Sequence, residues 1–386
     1  MALNRKLKIA VLFGGATPEH DVSIVSAQQL MDAVDCTKYD VIPVYMDFEN
    51  RLFTGPNLRN IDSFRPRPGN LSPISFFWGD QGPAYTIGNT APEHRVDCIL
   101  PIFHGAFGED GRSQAYFELL GIPVTGFSAS NSAIAMRKDA TKALVKEHGV
   151  NVLPHVTVDR EALITPKSVI ATVREKIGFP AIVKPVNLGS SIGVGVAQSD
   201  EELVDLAGFV LAQDNLALIE PRVPNLVEYN IAVLRKDGRT FFSAIEKPKP
   251  ASDLLDFREK YLSGDGSTKA NFSPSEGMLS LTRDINPKLP AKMRKTIYSY
   301  AELAFGALGN KGAPRIDFLC DSKTGEIWFN EINTIPGSYG FFLWEAAPQN
   351  PLLFPQLIDH LITEARSTSL KSFDDPVPQD AYLLPR

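Results

Sequence analysis

The chain has 386 residues, enough for two to three domains at roughly 150 residues each. Hydrophobic residues make up 44% and charged residues 22%, which excludes wholesale disorder and collagen-like repeats. With 39 basic and 45 acidic residues the net charge is −6, so a broadly basic nucleic-acid footprint is absent. No apolar run approaches the ~18 residues that cross a bilayer.

The chain starts basic and runs into Ile9-Ala10-Val11-Leu12-Phe13, as a secretory leader does. The run ends in Gly14-Gly15, then Glu19, His20 and Asp21, without a small-residue cleavage signature. It reads as a buried first strand over 8–13. A helix is predicted over 21–32, with Val22, Val25 and Leu30 apolar, and further strands over 40–46 and 96–103. Strands alternating with helices point to a parallel sheet. Residues 50–92, rich in Pro, Gly and Asn, read as loops and short hairpins.

A short helix over 113–120 is stopped by Gly121-Ile122-Pro123. A longer one is predicted over 131–148, carrying Met136, Arg137, Lys138 and Lys142, with Gly149 as its stop. An apolar strand over 180–184 leads into a Gly/Ser-rich loop over 187–195. A helix over 201–211 and a strand over 216–220 follow, the strand ending in Glu220. Strands over 228–234 and 241–245 pair through an Asp237-Gly238 turn. The polar stretch 251–278 reads as a mobile loop. A helix over 290–308 precedes strands over 314–320 and 326–332, turning at Lys323-Thr324-Gly325, and a last helix over 351–366. The proline-bearing tail after Ser367 is expected to be disordered or packed on the surface. Cys36, Cys98 and Cys320 are too few and too scattered for a disulfide framework or a zinc site, which points to a reducing cytosol.

Five segments carry chemistry. In Arg315-Ile316-Asp317 and Glu331-Ile332-Asn333 the alternation places Arg315 and Asp317 on one strand face, and likewise Glu331 and Asn333. On neighbouring strands they form a hard-oxygen cluster with one cation, suited to Mg²⁺ and phosphate oxygens. Arg315 can stabilise charge on a transferring group. The alternative is a solvated, salt-bridged hairpin. Lys184 ends a strand before Gly189-Ser190-Ser191-Ile192-Gly193, whose amides can cradle an anion. It lacks the Walker order, and alone it reads first as a connecting loop. His104-Gly105 to Glu109-Asp110-Gly111 lies at the end of a strand, where ligands of open α/β sheets bind. There Asp110 reads first as a helix cap. In Gly14-Gly15 to Glu19-His20-Asp21, Glu19 either holds a substrate ammonium or complements the helix dipole. Asp256-Phe257-Arg258-Glu259-Lys260-Tyr261 suits a charged lid or an ordinary surface loop.

In this order the segments resemble the D-alanine–D-alanine ligase family of the ATP-grasp superfamily, from about residue 8 to residue 345. The matching residues include Met136, Lys138, Lys184-Pro185, Lys260-Tyr261 and Pro336-Gly337. The resemblance implies an α/β protein, α+β in its C-terminal half: an ATP-grasp fold behind an N-terminal parallel α/β domain. Its units would be 1–125, 126–220 and 221–386. It implies that two D-alanines are joined through an acyl phosphate for peptidoglycan precursors, with ATP as co-substrate and two Mg²⁺ ions. By matched position, Glu19, Ser190 and Tyr261 form a substrate-positioning triad, and His104 lies near the first substrate. Lys138, Lys184 and Lys260 meet phosphates. Glu220 and Val223 meet adenine, and Glu228 meets ribose. Asp317, Glu331 and Asn333 hold metal. Arg315 and the Gly337 amide stabilise the oxyanion. The implied partners are small amino acids, with no nucleic acid and no membrane. The location is cytoplasmic, and a homodimer is the family's frequent assembly.

Three departures stand out. Pro221 replaces the family's lysine after Glu220, with Arg222 next, and the spacing to Glu228 is about one residue longer. Leu255-Asp256-Phe257 lacks two lid hydroxyls. Phe342 replaces a serine that grips the second substrate's carboxylate, which leaves Ser338 or backbone amides to take over. The alternatives are therefore a related ligase with a different acceptor, which Glu345 could also meet, and a non-catalytic nucleotide-binding protein.

Overall fold

A computed structural model describes residues 5–65, 67–88, 92–189, 192–249 and 283–368. Three sheets organise them. The first holds β1 (Leu7–Gly14), β2 (Tyr39–Met46), β3 (Leu52–Thr54), β4 (Ser72–Gly79), β5 (Gly82–Ile87), β6 (His94–Arg95) and β7 (Cys98–Pro101), in the order β6-β5-β4-β3-β2-β1-β7. β1 is apolar from Ile9 to Phe13 because both faces of the sheet are covered there, and these residues have no exposure. On one side lies α1 (His20–Ala33), burying Val22, Ile24, Ala27, Leu30 and Met31. On the other lies α2 (Arg112–Leu119), which buries Phe117 against Leu12, Phe76 and Phe103.

Two expectations change here. The sheet is mixed: β1 runs parallel to β2 and β7, but β3 to β6 pair antiparallel. The stretch 50–92 supplies β3, β4 and β5, because Ile74 and Phe76 alternate inward onto the core, where Tyr85 joins them, while Ser75 between them is exposed. The strand expected over 96–103 is four residues long.

The helix expected over 131–148 is two helices, α3 (Ala129–Met136) and α4 (Lys138–Glu147), because Arg137 between them is extended. Thr141 Oγ1 lies within bonding distance of three carbonyls at the break, those of Ile134 (2.6 Å), Arg137 (2.9 Å) and Ala135 (3.2 Å). The Lys138 amide, freed from a continuous helix, donates to Val186 O instead.

The second sheet, β10-β9-β11-β8, comprises β8 (Val156–Val158), β9 (Ala181–Pro185), β10 (Gly195–Ala197) and β11 (Ala217–Pro221). The helices α5 (Arg160–Ile164), α6 (Pro166–Lys176) and α7 (Asp200–Leu211) accompany it. Ser199 caps α7, accepting from the Glu202 amide, and Asp200, Glu201 and Glu202 complement its dipole.

The third sheet contains β12 (Leu226–Lys236), β13 (Arg239–Pro248), β14 (Arg283–Ile285), β15 (Arg315–Asp321) and β16 (Ile327–Asn333), ordered β14-β13-β12-β15-β16. Asp237 and Gly238 both take positive φ, as a tight hairpin requires, so the expected turn is present. Ile231, Val233, Ile316, Phe318 and Ile332 point to one face, where α8 (Ala291–Ala307) buries Ile297, Ala301 and Phe305. The alternate residues face the opposite way and are polar near the centre. The chain ends with α9 (Phe341–Glu345) and α10 (Phe354–Thr368).

Candidate active site

The polar face of the third sheet carries a row in register across four strands. Glu246 lies opposite Asn230, Asn230 opposite Asp317, and Asp317 opposite Glu331. Arg315 binds Asp317 through two 2.7 Å hydrogen bonds, and Asn333 Nδ2 donates to Asp317 Oδ2 at 3.0 Å. Burial pushes the Asp317 carboxyl up against the pull of Arg315. The expected cluster is thus assembled: Arg315, Asp317, Glu331 and Asn333 share one face.

Three lysines converge beside it. Lys138 Nζ donates to Leu188 O at 2.7 Å and lies 3.2 Å from Glu331. Lys184, on β9, reaches Glu220 on β11 at 2.5 Å and Asn330 on β16 at 2.9 Å, tying the second sheet to the third. Lys142, fully buried on α4, lies 3.1 Å from the other Glu220 oxygen and donates to Phe329 O at 3.3 Å. Burial alone would raise the Glu220 carboxyl, but Lys142 and Lys184 together hold it at about 2. The Lys142 ammonium is lowered by burial, against the pull of Glu220.

Glu19, beyond β1, is buried beside the same region. A Cβ placed on Gly105 would stand 3.1 Å from Glu19 Oε2, and one on Gly189 would stand 3.6 Å from it. At Gly105, whose φ is +80°, glycine lets the loop close on this carboxylate, while at Gly189 the approach is ordinary van der Waals contact. His104 is buried with Nε2 3.2 Å from Ser26 Oγ, and burial drives its imidazole down to about 4, so it is neutral at pH 7. Asp110 accepts from the amides of Phe107 and Arg112, as a turn-and-cap residue does. Glu109 instead bridges distant segments: it accepts from the Gly105 amide at 2.9 Å and the Ile335 amide at 3.1 Å. Burial, and then the nearby Glu19 charge, push its carboxyl up to about 8.

Gly337 opens a turn in which Ser338 and Tyr339 have left-handed backbone (φ 47° and 55°). Ser338 Oγ donates to Gln29 at 2.5 Å, and Tyr339 donates its hydroxyl to Pro101 O at 2.5 Å. The Phe342 ring, half-buried, lies under the Arg283 guanidinium at 4.9 Å, and Arg283 pairs with Glu246 at 2.8 Å. Val223 is buried after β11, and Glu228 sits on β12, two residues before Asn230 and on the same face. Ser190, Lys260, Tyr261 and the lid residues Leu255, Asp256 and Phe257 lie outside the described residues.

Motif reading gave no role to Lys142, Asn230, Glu246 and Asn330, and it offered Glu109 only as a helix cap beside Asp110, whereas Glu109 binds the Gly105 and Ile335 amides. For Asn230 a signal existed, since it stands two positions after Glu228 on an alternating strand. Among the described residues no three or more His, Cys, Asp and Glu side chains gather closely enough to hold a metal ion. The chemistry of the set still suits a hard divalent cation: Asp317, Glu331 and Asn333 offer oxygens on one face, and Arg315 and Lys138 supply the positive charge a metal would otherwise bring.

Two antiparallel sheets meeting at a lysine-rich, carboxylate-rich seam define an ATP-grasp protein. The family model for the D-ala D-ala ligase N-terminus matches residues 8–127, and that for the C-terminus matches residues 144–363. A D-alanine–D-alanine ligase of Chlorobium limicola is 32% identical over 94% of this chain and 97% of its own length. One from Thermosipho melanesiensis is 32% identical over 92% of each. Among solved structures, the VanG D-Ala:D-Ser ligase from Enterococcus faecalis superposes with a TM-score of 0.75 at 27% identity, covering 94% of this chain and all of that one. The D-alanine–D-alanine ligase from Coxiella burnetii gives 0.75 at 26%, covering 94% of each. The chain belongs to the D-alanine–D-alanine ligase family, and with it to the ATP-dependent, ADP-forming ligases that act on small molecules. Among the described residues no helix is long and apolar enough to cross a membrane.

Proposed function

We propose that the chain joins two D-alanines, with the chemistry centred on the row Asp317, Glu331, Asn333 and Arg315 facing Lys138 and Lys184. That juxtaposition carries the reading. A carboxylate oxygen of the first D-alanine attacks the γ-phosphorus of ATP, and ADP leaves. The amine of the second attacks the acyl carbon, loses its proton, and phosphate departs. Glu19, between the loops at Gly105 and Gly189, is suited to the first substrate's ammonium, with Ser190 and Tyr261 as its partners. His104, neutral and buried beside Ser26, would shape the first-substrate pocket without adding charge. Lys138, Lys184 and Lys260 would neutralise phosphates. Glu220, Val223 and Glu228 would line the adenine and ribose pocket. Arg315 and the Gly337 amide would receive the developing oxyanion.

Two Mg²⁺ ions, held by Asp317, Glu331 and Asn333, would supply charge neutralisation for phosphoryl transfer. Phe342 cannot donate a hydrogen bond and Ser338 donates its hydroxyl to Gln29, so the acceptor carboxylate would fall to backbone amides near this turn, or to Ser338 once it leaves Gln29. The working units are 1–125, 126–220 and 221–386, and the location is the cytoplasm. Among the described residues two apolar cores keep within these bounds, over 10–122 and 158–219, while two cross them, joining 9–102 to 232–365 and 127–150 to 229–332.

The test is phosphate release from ATP with D-alanine as the sole amino acid. Turnover should require a divalent cation, stop with EDTA and return with Mg²⁺. No release at millimolar D-alanine would sink the reading. A parallel panel of D- and L-amino acids, D-serine among them, addresses the acceptor, and a clear optimum for D-alanine at both positions removes the different-acceptor alternative.

A further inference from the structure

Lys142 lies outside every motif that led to the site, yet it is the most deeply enclosed charge there, with no side-chain exposure. It is one of three ionic groups in a buried cluster. Glu220, itself 2% exposed, has one oxygen 2.5 Å from Lys184 and the other 3.1 Å from Lys142. The two lysines differ in their remaining partners. Lys142 is enclosed by α4, β11 and the Phe329 carbonyl of β16. Lys184 is 8% exposed and reaches out to the Asn330 side chain on the polar face. Two cations share one anion, so the cluster holds a surplus positive charge. One cation is fixed and the other lies at the edge of the seam.

A buried carboxylate that loses its last partner is strongly destabilised. With Lys184 as the sole counter-ion of Glu220, moving it to a phosphate would strand that carboxylate. With Lys142 in place, the transfer leaves Glu220 paired. We propose that Lys142 is a positioning residue for nucleotide binding: it stays with Glu220 as a resident counter-ion, which releases Lys184 for the nucleotide's phosphate. This rests on the assignment of Lys184 to phosphate made above. Lys142 touches neither substrate nor phosphate. It sets how much of the Lys184 charge is available to them.

The experiment is calorimetric titration of the full chain with a non-hydrolysable ATP analogue and Mg²⁺. It compares wild type with Lys184→Met, Lys142→Met, Glu220→Gln and the double variant Lys142→Met/Glu220→Gln. Loss of affinity in Lys184→Met tests the underlying reading by itself; unchanged affinity there defeats that reading. Lys142→Met should weaken binding about tenfold or more, because Lys184 is then retained by Glu220. In the Glu220→Gln background there is no carboxylate to retain it, so adding Lys142→Met should change affinity by less than about threefold. A lysine acting independently of Glu220 would cost the same in both backgrounds, and one needed only to hold the fold would lower the urea midpoint of Lys142→Met without moving its nucleotide affinity; either result overturns the proposal. So does wild-type affinity in Lys142→Met. Glu220→Gln weakens binding by itself through the proposed adenine contact, so only the change on adding Lys142→Met is read: should Lys142→Met fail to fold, equal and measurable affinities of Glu220→Gln and the double variant support the proposal, and a weaker or unfolded double variant overturns it.

Discussion

At the scale of single residues, His104 makes a prediction about pH. Its imidazole titrates near 4 in the fold against 6.5 ordinarily, mainly because it is buried and secondarily because Arg315 is near. Between those values the unfolded chain takes up a proton that the folded chain refuses. Stability is therefore greatest above pH 6.5 on this account and falls as pH drops towards 4. The full contribution is on the order of 3 kcal/mol. Urea unfolding of wild type and His104→Gln at pH 7 and pH 4.5 checks it. The variant should lose less stability between the two conditions, and equal losses would count against the assignment. The site's strand residues were legible in the sequence because alternation assigns faces locally, so Arg315 with Asp317 and Glu331 with Asn333 could be paired by eye. Glu109 and Lys142 were not, because their meaning lies in partners far along the chain. Glu109 reaches Ile335 across 226 positions, and Lys142 reaches Phe329 across 187.

At the scale of elements, the turn after Gly337 holds backbone that ordinary side chains avoid. Ser338, Tyr339 and Gly340 are consecutive left-handed residues, a conformation costing roughly 1–2 kcal/mol for each non-glycine residue. Something must hold them, and Tyr339 is placed to do so. Its ring has no exposure, and its hydroxyl donates to Pro101 O at the end of β7. Tyr339→Phe keeps the ring and strands that buried carbonyl, at an expected loss of about 1–3 kcal/mol in urea unfolding. A loss below about 0.5 kcal/mol would mean that the turn is held by the ring's packing instead. The Asp237-Gly238 hairpin was readable because turn chemistry is local. The break at Arg137 was not: periodicity runs through it unbroken, and it is fixed by Thr141 Oγ1 and by Val186 O just beyond β9. That break orients Lys138 towards Glu331, so a feature invisible to periodicity helps build the site.

At the scale of the whole molecule, the order of the chain and the boundaries of its cores diverge. The first sheet is built from residues 7–101, yet one of its faces is completed from the other end of the chain. Leu357, Ile358, Leu361 and Ile362 of α10 are buried in the same core as Ile9, Val11, Cys98 and Leu100. At ~1.5–3 kcal/mol for each buried aliphatic side chain, these four supply roughly 6–12 kcal/mol, comparable with the total stability of a domain. Residues 1–125 expressed alone should therefore lack a cooperative unfolding transition and bind a hydrophobic dye, although their sheet hydrogen bonds are local. Within the full chain, Leu361→Ala should cost about 2–5 kcal/mol, and the loss should be felt in the first sheet. Hydrogen exchange of the β1 and β7 amides reads this directly. Faster exchange there in Leu361→Ala would show that α10 closes the first core. Exchange changes confined to α10 and the third sheet, or a cooperative fragment 1–125, would show that the first unit stands without it. The turn at Gly337 lies on the path between these cores, because α1 packs against both that turn and α10. The groups proposed for oxyanion binding and the first-substrate loop are thus held in one framework spanning both ends of the chain.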